Sequence, residues 1–533
     1  MTEFQDKTIK FIGKSANPAA NEILQRLLAH VDTDFRRLAF NALYLKKEPE
    51  VYVLLFKQFV SDEEYWGKPG VVASDRLAKI VDAAMRDASK KHRETAAEIT
   101  MKYKLYEVLP TVILFLESPD QPISLLMRQV LMSLAESFYN DIMEATPADR
   151  RNFDRKREWF VSQLDGPVKR YGANKIDEVI HSLLIITKKD FDLMKLIATD
   201  SRSETAKKLG ELLRTGTHRS YLRVLLNYLD DPDSPATMDV IISERSDTLF
   251  VRKLLEQVGK DPSPEFRSAL KRFQQIAWFD ATNPELPTLV EGLEPNAVQL
   301  LQSVSFPKEK VIPLYRFFLS RESVESRRAA AESVRWLVGE EINRLLLQFV
   351  DNSDPQTAAI LFRLLKSREV QGIDDVFPKL LERPDPIIRQ AVYEMVPDVH
   401  VETFASRVSQ MTPGTAQRMG RYVRLADPNT YKIIDDDIKS PIPIRRSSAC
   451  KVALYTGFAE KFLSRIMDIA AYDDELSVRL AAISALSTIM KKEALEMLKS
   501  LMGDRSTDIR DAVEAAVKSW AATYHTMTKP AKT

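Results

Sequence analysis

Apolar residues recur along most of the chain at the three-and-four spacing of helices, in blocks only two or three turns long. The clearest block runs from Ile466 to Met490. Ile466, Ile469 and Ala470 share one helical face, and Val478, Ala481, Ala482, Ala485, Leu486 and Ile489 share another. Between them lies the acidic stretch Tyr472-Asp473-Asp474-Glu475-Leu476-Ser477. The pattern predicts two short helices joined by a turn, with Asp and Ser available to cap the second and acid at its positive N-terminus. Alanines on the second helix permit close packing. A pair that is apolar on both sides cannot bury itself, so it needs a neighbour before and after it.

Versions of this block repeat. With Arg479 at a fixed place, equivalents fall at Ile176, Ala206, Ala236, Arg267, Ala297, Arg328, Thr357, Arg389, Arg418, Arg445 and Arg510. The eleven steps from Ile176 to Arg510 give a period of about 30 residues, within the range of repeat arrays. Turns rich in acid or proline recur with the period: DDPDSPA at 230–236, DNSDPQT at 351–357 and ERPDPIIR at 382–389. Asp-Pro suits them, because proline presets φ for a first helical turn and needs no N–H there. The unit resembles the HEAT repeat, a helix pair with Asp in the turn (Asp473 or Asp474) and Val-Arg opening the second helix (Val478-Arg479). Prolines inside the first helix, Pro287, Pro313 and Pro378, are a further likeness. The resemblance implies an all-α fold, an α-solenoid of stacked antiparallel helix pairs wound as a right-handed superhelix. It also implies an armadillo-like concave surface suited to a protein partner. The recurrent arginine has two readings: a tie to the acidic turn of its own or the next repeat, or a ladder for an acidic ligand. The first is preferred.

Four segments follow. Residues 1–145 form an N-terminal helical region with looser repeats, of which 21–45 (NEILQRLLAHVDTDFRRLAFNALYL) is the nearest copy. Residues 146–175 read as a basic helical junction, 176–525 as the regular array and 526–533 as a disordered tail. Within the first segment, SDEEYWGKPG at 61–70 breaks the pattern and predicts a loop. Residues 74–106 read as a longer helical segment dense in charge.

Composition narrows the class. Fifteen glycines among 533 residues are few for a fold that turns often, which favours helices. Basic and acidic residues balance at 77 to 76, so no global charge draws the chain to nucleic acid or anionic lipid. The single cysteine, Cys450, excludes an internal disulfide and reads as a core thiol. The first residues carry no apolar leader core, and the run Val108–Leu116 is far shorter than the ~20 residues that span a bilayer. A cytoplasmic protein is expected.

Candidate chemistry is sparse. No phosphate-binding glycine loop, H-E-x-x-H or G-x-S-x-G is present. The six histidines are scattered, and Asp435-Asp436-Asp437 lacks the spaced ligands of a calcium loop. No catalytic, cofactor or metal residue is assigned, and no cofactor is expected. Trp278 and Trp336 are expected to plug grooves between repeats. The candidate partner-binding residues lie where the period breaks: Trp66 in the loop, and Arg150, Arg151, Arg155, Arg157 and Trp159 in the basic stretch. The reading favoured is a non-enzymatic scaffold or adaptor that binds a partner protein, of identity and oligomeric state left open. The alternative is nucleic-acid binding by 146–175, where basic and aromatic residues interleave.

Overall fold

In the computed structural model, residues 3–191, 194–195 and 202–528 are described, with side chains between residues 5 and 521. Every regular element among them is a helix. The period is visible in where helices open: Asp177, Glu204, Ala236, Pro264, Glu294, Val324, Pro355, Pro386, Pro413, Pro443, Leu476 and Thr507, eleven steps of about 30 residues. Local chemistry explains these starts. Ser203, Ser263, Ser323, Asp354, Asp385 and Thr412 each accept a backbone N–H with the side chain just before the helix begins. Five of the twelve open on proline.

The chain forms two compact units. The first spans 1–290 with 303–306; the second spans 291–302 with 307–533. In the first, Pro18–Leu28 pairs with Thr33–Tyr44, Pro49–Ser61 with Ser74–Met85, and Leu109–Leu116 with the long helix Gln121–Glu144. The stretch read as a junction, 146–175, carries the helix Arg150–Lys169, which packs against Leu109–Leu116 before it and Asp177–Ile186 after it. In the second unit the helices Val324–Ser333, Pro355–Ser367, Pro386–Met395, Pro413–Ala426, Pro443–Thr456, Leu476–Leu486 and Thr507–Thr528 each touch the next. This is the stacked, neighbour-only packing of an α-solenoid. The opening block is as drawn from sequence: Leu463–Tyr472 and Leu476–Leu486, with Ile466, Ala470, Val478, Ala481, Ala482, Ala485 and Leu486 buried.

Several details differ from the sequence reading. The charged stretch 74–106 is two helices, Ser74–Met85 and Lys90–Lys102, because Asp87 and Ser89 cap a break between them. All three prolines read as lying inside a first helix do so, but only Pro313 is beyond the first turn; Pro287 and Pro378 sit in first turns, where no N–H is missed. The second helix of the opening block starts after Glu475, which makes no side-chain cap; Asp473 takes the Glu475 N–H instead (3.0 Å). Trp278 is buried as expected, but Trp336 is 71% exposed on a turn, with the Arg335 guanidinium 5.5 Å from its ring centroid. The last helix runs on through Thr528, into the stretch read as a tail, and 529–533 lie outside the described residues. Cys450 is buried, and that burial pushes its thiol up to about 12, which keeps it protonated and inert.

The arginine keeps a stricter register than its sequence spacing showed. It stands four residues after the residue that precedes the helix: Arg36, Arg267, Arg327, Arg389, Arg446, Arg479 and Arg510. In all seven its N–H makes the helix's first i→i−4 bond, to the carbonyl of that preceding residue. Of the residues aligned by sequence, Arg328 is one position too late and Arg445 one too early, and they face Glu332 and Asp437. Four of the seven guanidiniums reach the carboxylate in the next turn: Arg36 to Asp62, Arg327 to Asp354, Arg446 to Asp473 and Arg479 to Asp504. Arg446 grips Asp473 through two bonds (2.7 and 3.0 Å) and the Ser440 carbonyl through a third (2.9 Å). Arg267 and Arg510 stay on their own turns, at Asp261 and the Asp504 carbonyl. The ties are therefore internal.

They also set a pH dependence. The guanidinium bond from Arg446 holds Asp473 below the ordinary 3.8, and that from Arg479 does the same for Asp504. Carboxylates depressed in the folded state contribute stability that is complete above their unfolded pKa and is lost as pH falls through the folded value. The second unit should thus lose stability progressively below about pH 4. Arg446→Met should cost on the order of 1–3 kcal/mol at pH 7 and flatten that acid limb. Urea midpoints between pH 2 and 7 measure it; variant and parent curves running parallel would refute the linkage.

Candidate functional site

The helix Arg150–Lys169 has two unlike faces. One buries Phe160, Val161, Leu164 and Val168 at helical spacing. The other places Arg151, Arg155 and Trp159 at i, i+4 and i+8, with Lys156 alongside. The helix opens just after Asp149, whose carboxylate accepts from the Thr146 hydroxyl (2.6 Å). The helix's aspartates are engaged elsewhere: Asp154 with Lys188 (2.7 Å) and Asp165 with Lys169 (2.7 Å). Arg150, Arg151, Arg155 and Lys156 are exposed and form no ion pair among the described residues.

Beside this face opens a cleft of about 260 Å³. One wall is Tyr106, Glu107 and Phe138; the other is Arg155, Lys156, Trp159 and Phe160. The wall is aromatic by design of packing. Tyr106 meets Phe138 edge-on at 5.2 Å, and Phe138 meets Phe160 at 5.7 Å, geometries that aromatic rings favour. The Tyr106 hydroxyl donates to Asp141 (2.6 Å), which also takes Lys104 (2.5 Å). Burial first, then that carboxylate, drives the phenol far above its ordinary range, so it stays a neutral donor locked in place. Phe138 and Phe160 are fully buried at the back, whereas Trp159 at the rim is 38% exposed. The cleft can thus receive an apolar group and set charge beside it.

Of the residues expected to bind a partner, Arg151, Arg155 and Trp159 fall together here, and Arg150 is exposed on the same helix, nearer Asp154. Two do not belong. Trp66 is 1% exposed, because residues 63–66 fold into a helical turn that tucks it against Phe40 (4.9 Å) with Arg36 over its ring. Arg157 points inward and is buried, 3.8 Å from Asp154; burial, then the charge of Arg223, lowers it to about 10. Tyr106 and Phe138 escaped the sequence reading. They lie some 50 and 20 residues from Trp159, Tyr106 just before Leu109–Leu116 and Phe138 on Gln121–Glu144, and only tertiary packing brings them in.

The scattered histidines also hold one surprise. His181 and His218 converge on Tyr221: His181 Nδ1 lies 2.6 Å from its hydroxyl, and His218 caps the helix Arg219–Leu226 while its Nε2 meets Glu136 (3.0 Å). These are packing and capping contacts. Among the described residues no group of three or more His, Cys, Asp or Glu is placed to hold a metal ion, and no helix is long and apolar enough to cross a membrane.

No protein-family model matches the chain, and no curated protein does. Solved structures with some likeness include one from work on the phosphorylation-controlled interaction between cadherin and β-catenin, at 12% identity over 94% of this chain and 99% of that one, with a TM-score of 0.26. Another is Kap121p, a karyopherin, at 9% identity and a TM-score of 0.23; the match covers 97% of this chain but only 54% of Kap121p. A third is an engineered protein, at 13% identity, 94% and 98% coverage and a TM-score of 0.18. Scores this low carry no weight, and the solenoid architecture rests on the helices and their contacts.

Proposed function

We propose that the chain is a non-enzymatic interaction scaffold of the HEAT kind, which holds a partner protein on the outward face of Arg150–Lys169. One observation carries the reading: an exposed tryptophan and unpaired cations border an aromatic cleft on the helix where the sequence repeat is broken. Repeat arrays devote most apolar side chains to stacking and use what is left for binding. Tryptophan and arginine dominate the energy of such contacts. A second reading has one feature in its favour, since cations beside an exposed ring also suit single-stranded nucleic acid.

The test replaces Trp159 with a photoreactive phenylalanine analogue and irradiates living cells. A recurrent protein adduct, lost when Arg155 and Lys156 are reversed to Glu, is the expected result. Adducts removed by nuclease would favour the second reading. No adduct beyond that from the same probe at Val31, a 97% exposed site in the same unit, would overturn both.

A further inference from the structure

We infer that the occupant of this cleft is an extended acidic segment of a partner protein, with two alternate carboxylates and, two residues beyond them in either chain direction, one large apolar side chain. The inference rests on the docking reading above and specifies its ligand. Size comes first. At about 260 Å³ the cleft is below the roughly 300–1,000 Å³ of clefts that enclose whole small molecules. It suits a single side chain, and its buried back wall of Phe138 and Phe160 rewards an apolar one.

Spacing comes next. Arg151, Arg155 and Trp159 climb the helix in steps of four residues, about 6 Å each. Alternate residues of an extended strand repeat every 6.6–6.8 Å or so. A strand laid along the helix therefore brings every second side chain opposite one of these three positions. Two acids would meet Arg151 and Arg155, and the next side chain on that face would enter beside Trp159.

Charge decides the sign. Arg151, Arg155 and Lys156 have no partner of their own among the described residues, so pairing them leaves no other carboxylate stranded. Carboxylates meet guanidinium in a matched two-pronged geometry. A basic segment would meet these three cations. A continuous run of phosphates would meet Glu107 at the cleft wall and Glu158 on the helix, both exposed, and would find one ring to stack on. An isolated pair of acids puts its charge on Arg151 and Arg155 and sets an uncharged group beside Glu107.

The test is fluorescence anisotropy of the full chain with labelled ten-residue peptides. The parent peptide has two alternate Glu and a Leu or Phe two residues beyond, and is made in both sequence orders. Replacing the apolar residue by Ala should weaken binding at least about tenfold. Replacing both Glu by Lys should abolish it. Arg151→Glu with Arg155→Glu should lose the parent peptide and gain the Lys peptide, a rescue that damage to the fold cannot imitate. Trp159→Ala should lose both. An Ala-anchored or uncharged peptide that binds as well as the parent would overturn the inference. So would an oligothymidylate that binds this face more tightly than the peptide. If no peptide binds but the Trp159 probe still captures a protein, the inference falls and the scaffold reading stands; peptide binding with no protein captured separates the two in the other direction.

Discussion

Leu361→Asp should split the unfolding of the second unit into two transitions. Leu361 is fully buried in Pro355–Ser367, which touches Val324–Ser333 on one side and Pro386–Met395 on the other. A carboxylate left there without a partner costs on the order of 4 kcal/mol or more. In a single rounded core such a loss would lower one cooperative melt. Here the helices from Pro443 onward keep their contacts with one another, because each depends on its neighbours alone. Calorimetry should show a new low-temperature transition, and hydrogen exchange should show lost protection near residues 340–367 with protection retained near 476–486. One intact transition, merely shifted, would argue against a linear array.

Gly420→Ala should be the most damaging small substitution in the second unit. The helices Pro413–Ala426 and Pro443–Thr456 touch at this glycine. A Cβ there would lie 2.3 Å from the Tyr455 carbonyl oxygen and 2.8 Å from the Tyr455 Cβ. Both are rigid parts of the facing helix, so no side chain can swing away and the helices must separate. Overpacking of this kind costs about 1–3 kcal/mol, and contact with backbone puts it at the upper end. The helical preference of Ala over Gly returns up to about 1 kcal/mol, leaving a net loss of about 2 kcal/mol. Gly414→Ala in the same helix is the control, since nothing lies within 4 Å of its Cβ. It should be neutral or stabilising. Urea midpoints of the two variants decide the matter, and equal values would show that the close approach does not bear on stability.

The repeat was readable from sequence because its signals are local. Apolar spacing, Ser, Thr or Asp before a helix and proline within its first turn all act over a few residues, and they place the twelve helix starts to within about a turn. What was not readable depends on partners far along the chain. The arginine register is a case: nothing near Arg327 and Arg328 says which of the two will find Asp354. Gly420 looks like any helical glycine until Tyr455 is set against it. The candidate site divides in the same way. Arg151, Arg155 and Trp159 share a face by helical arithmetic, whereas Trp66 and Arg157 belong to the interior because of Phe40 and Asp154. Tyr106 and Phe138, which make the other wall, enter through tertiary packing alone.

The arginine ties reach a short way along the chain: 27 residues from Arg446 to Asp473 and 25 from Arg479 to Asp504. Each closes as soon as one more turn has been made. During synthesis at about 5–20 residues per second, a further helix pair emerges every few seconds. Its helices form in microseconds, so each pair has time to latch before the next arrives. The second unit can therefore be laid down already folded, with one uncovered apolar face at its growing end at any moment. Removing a latch such as Arg446 would weaken the finished protein and would also lengthen the time that this face waits uncovered on the ribosome.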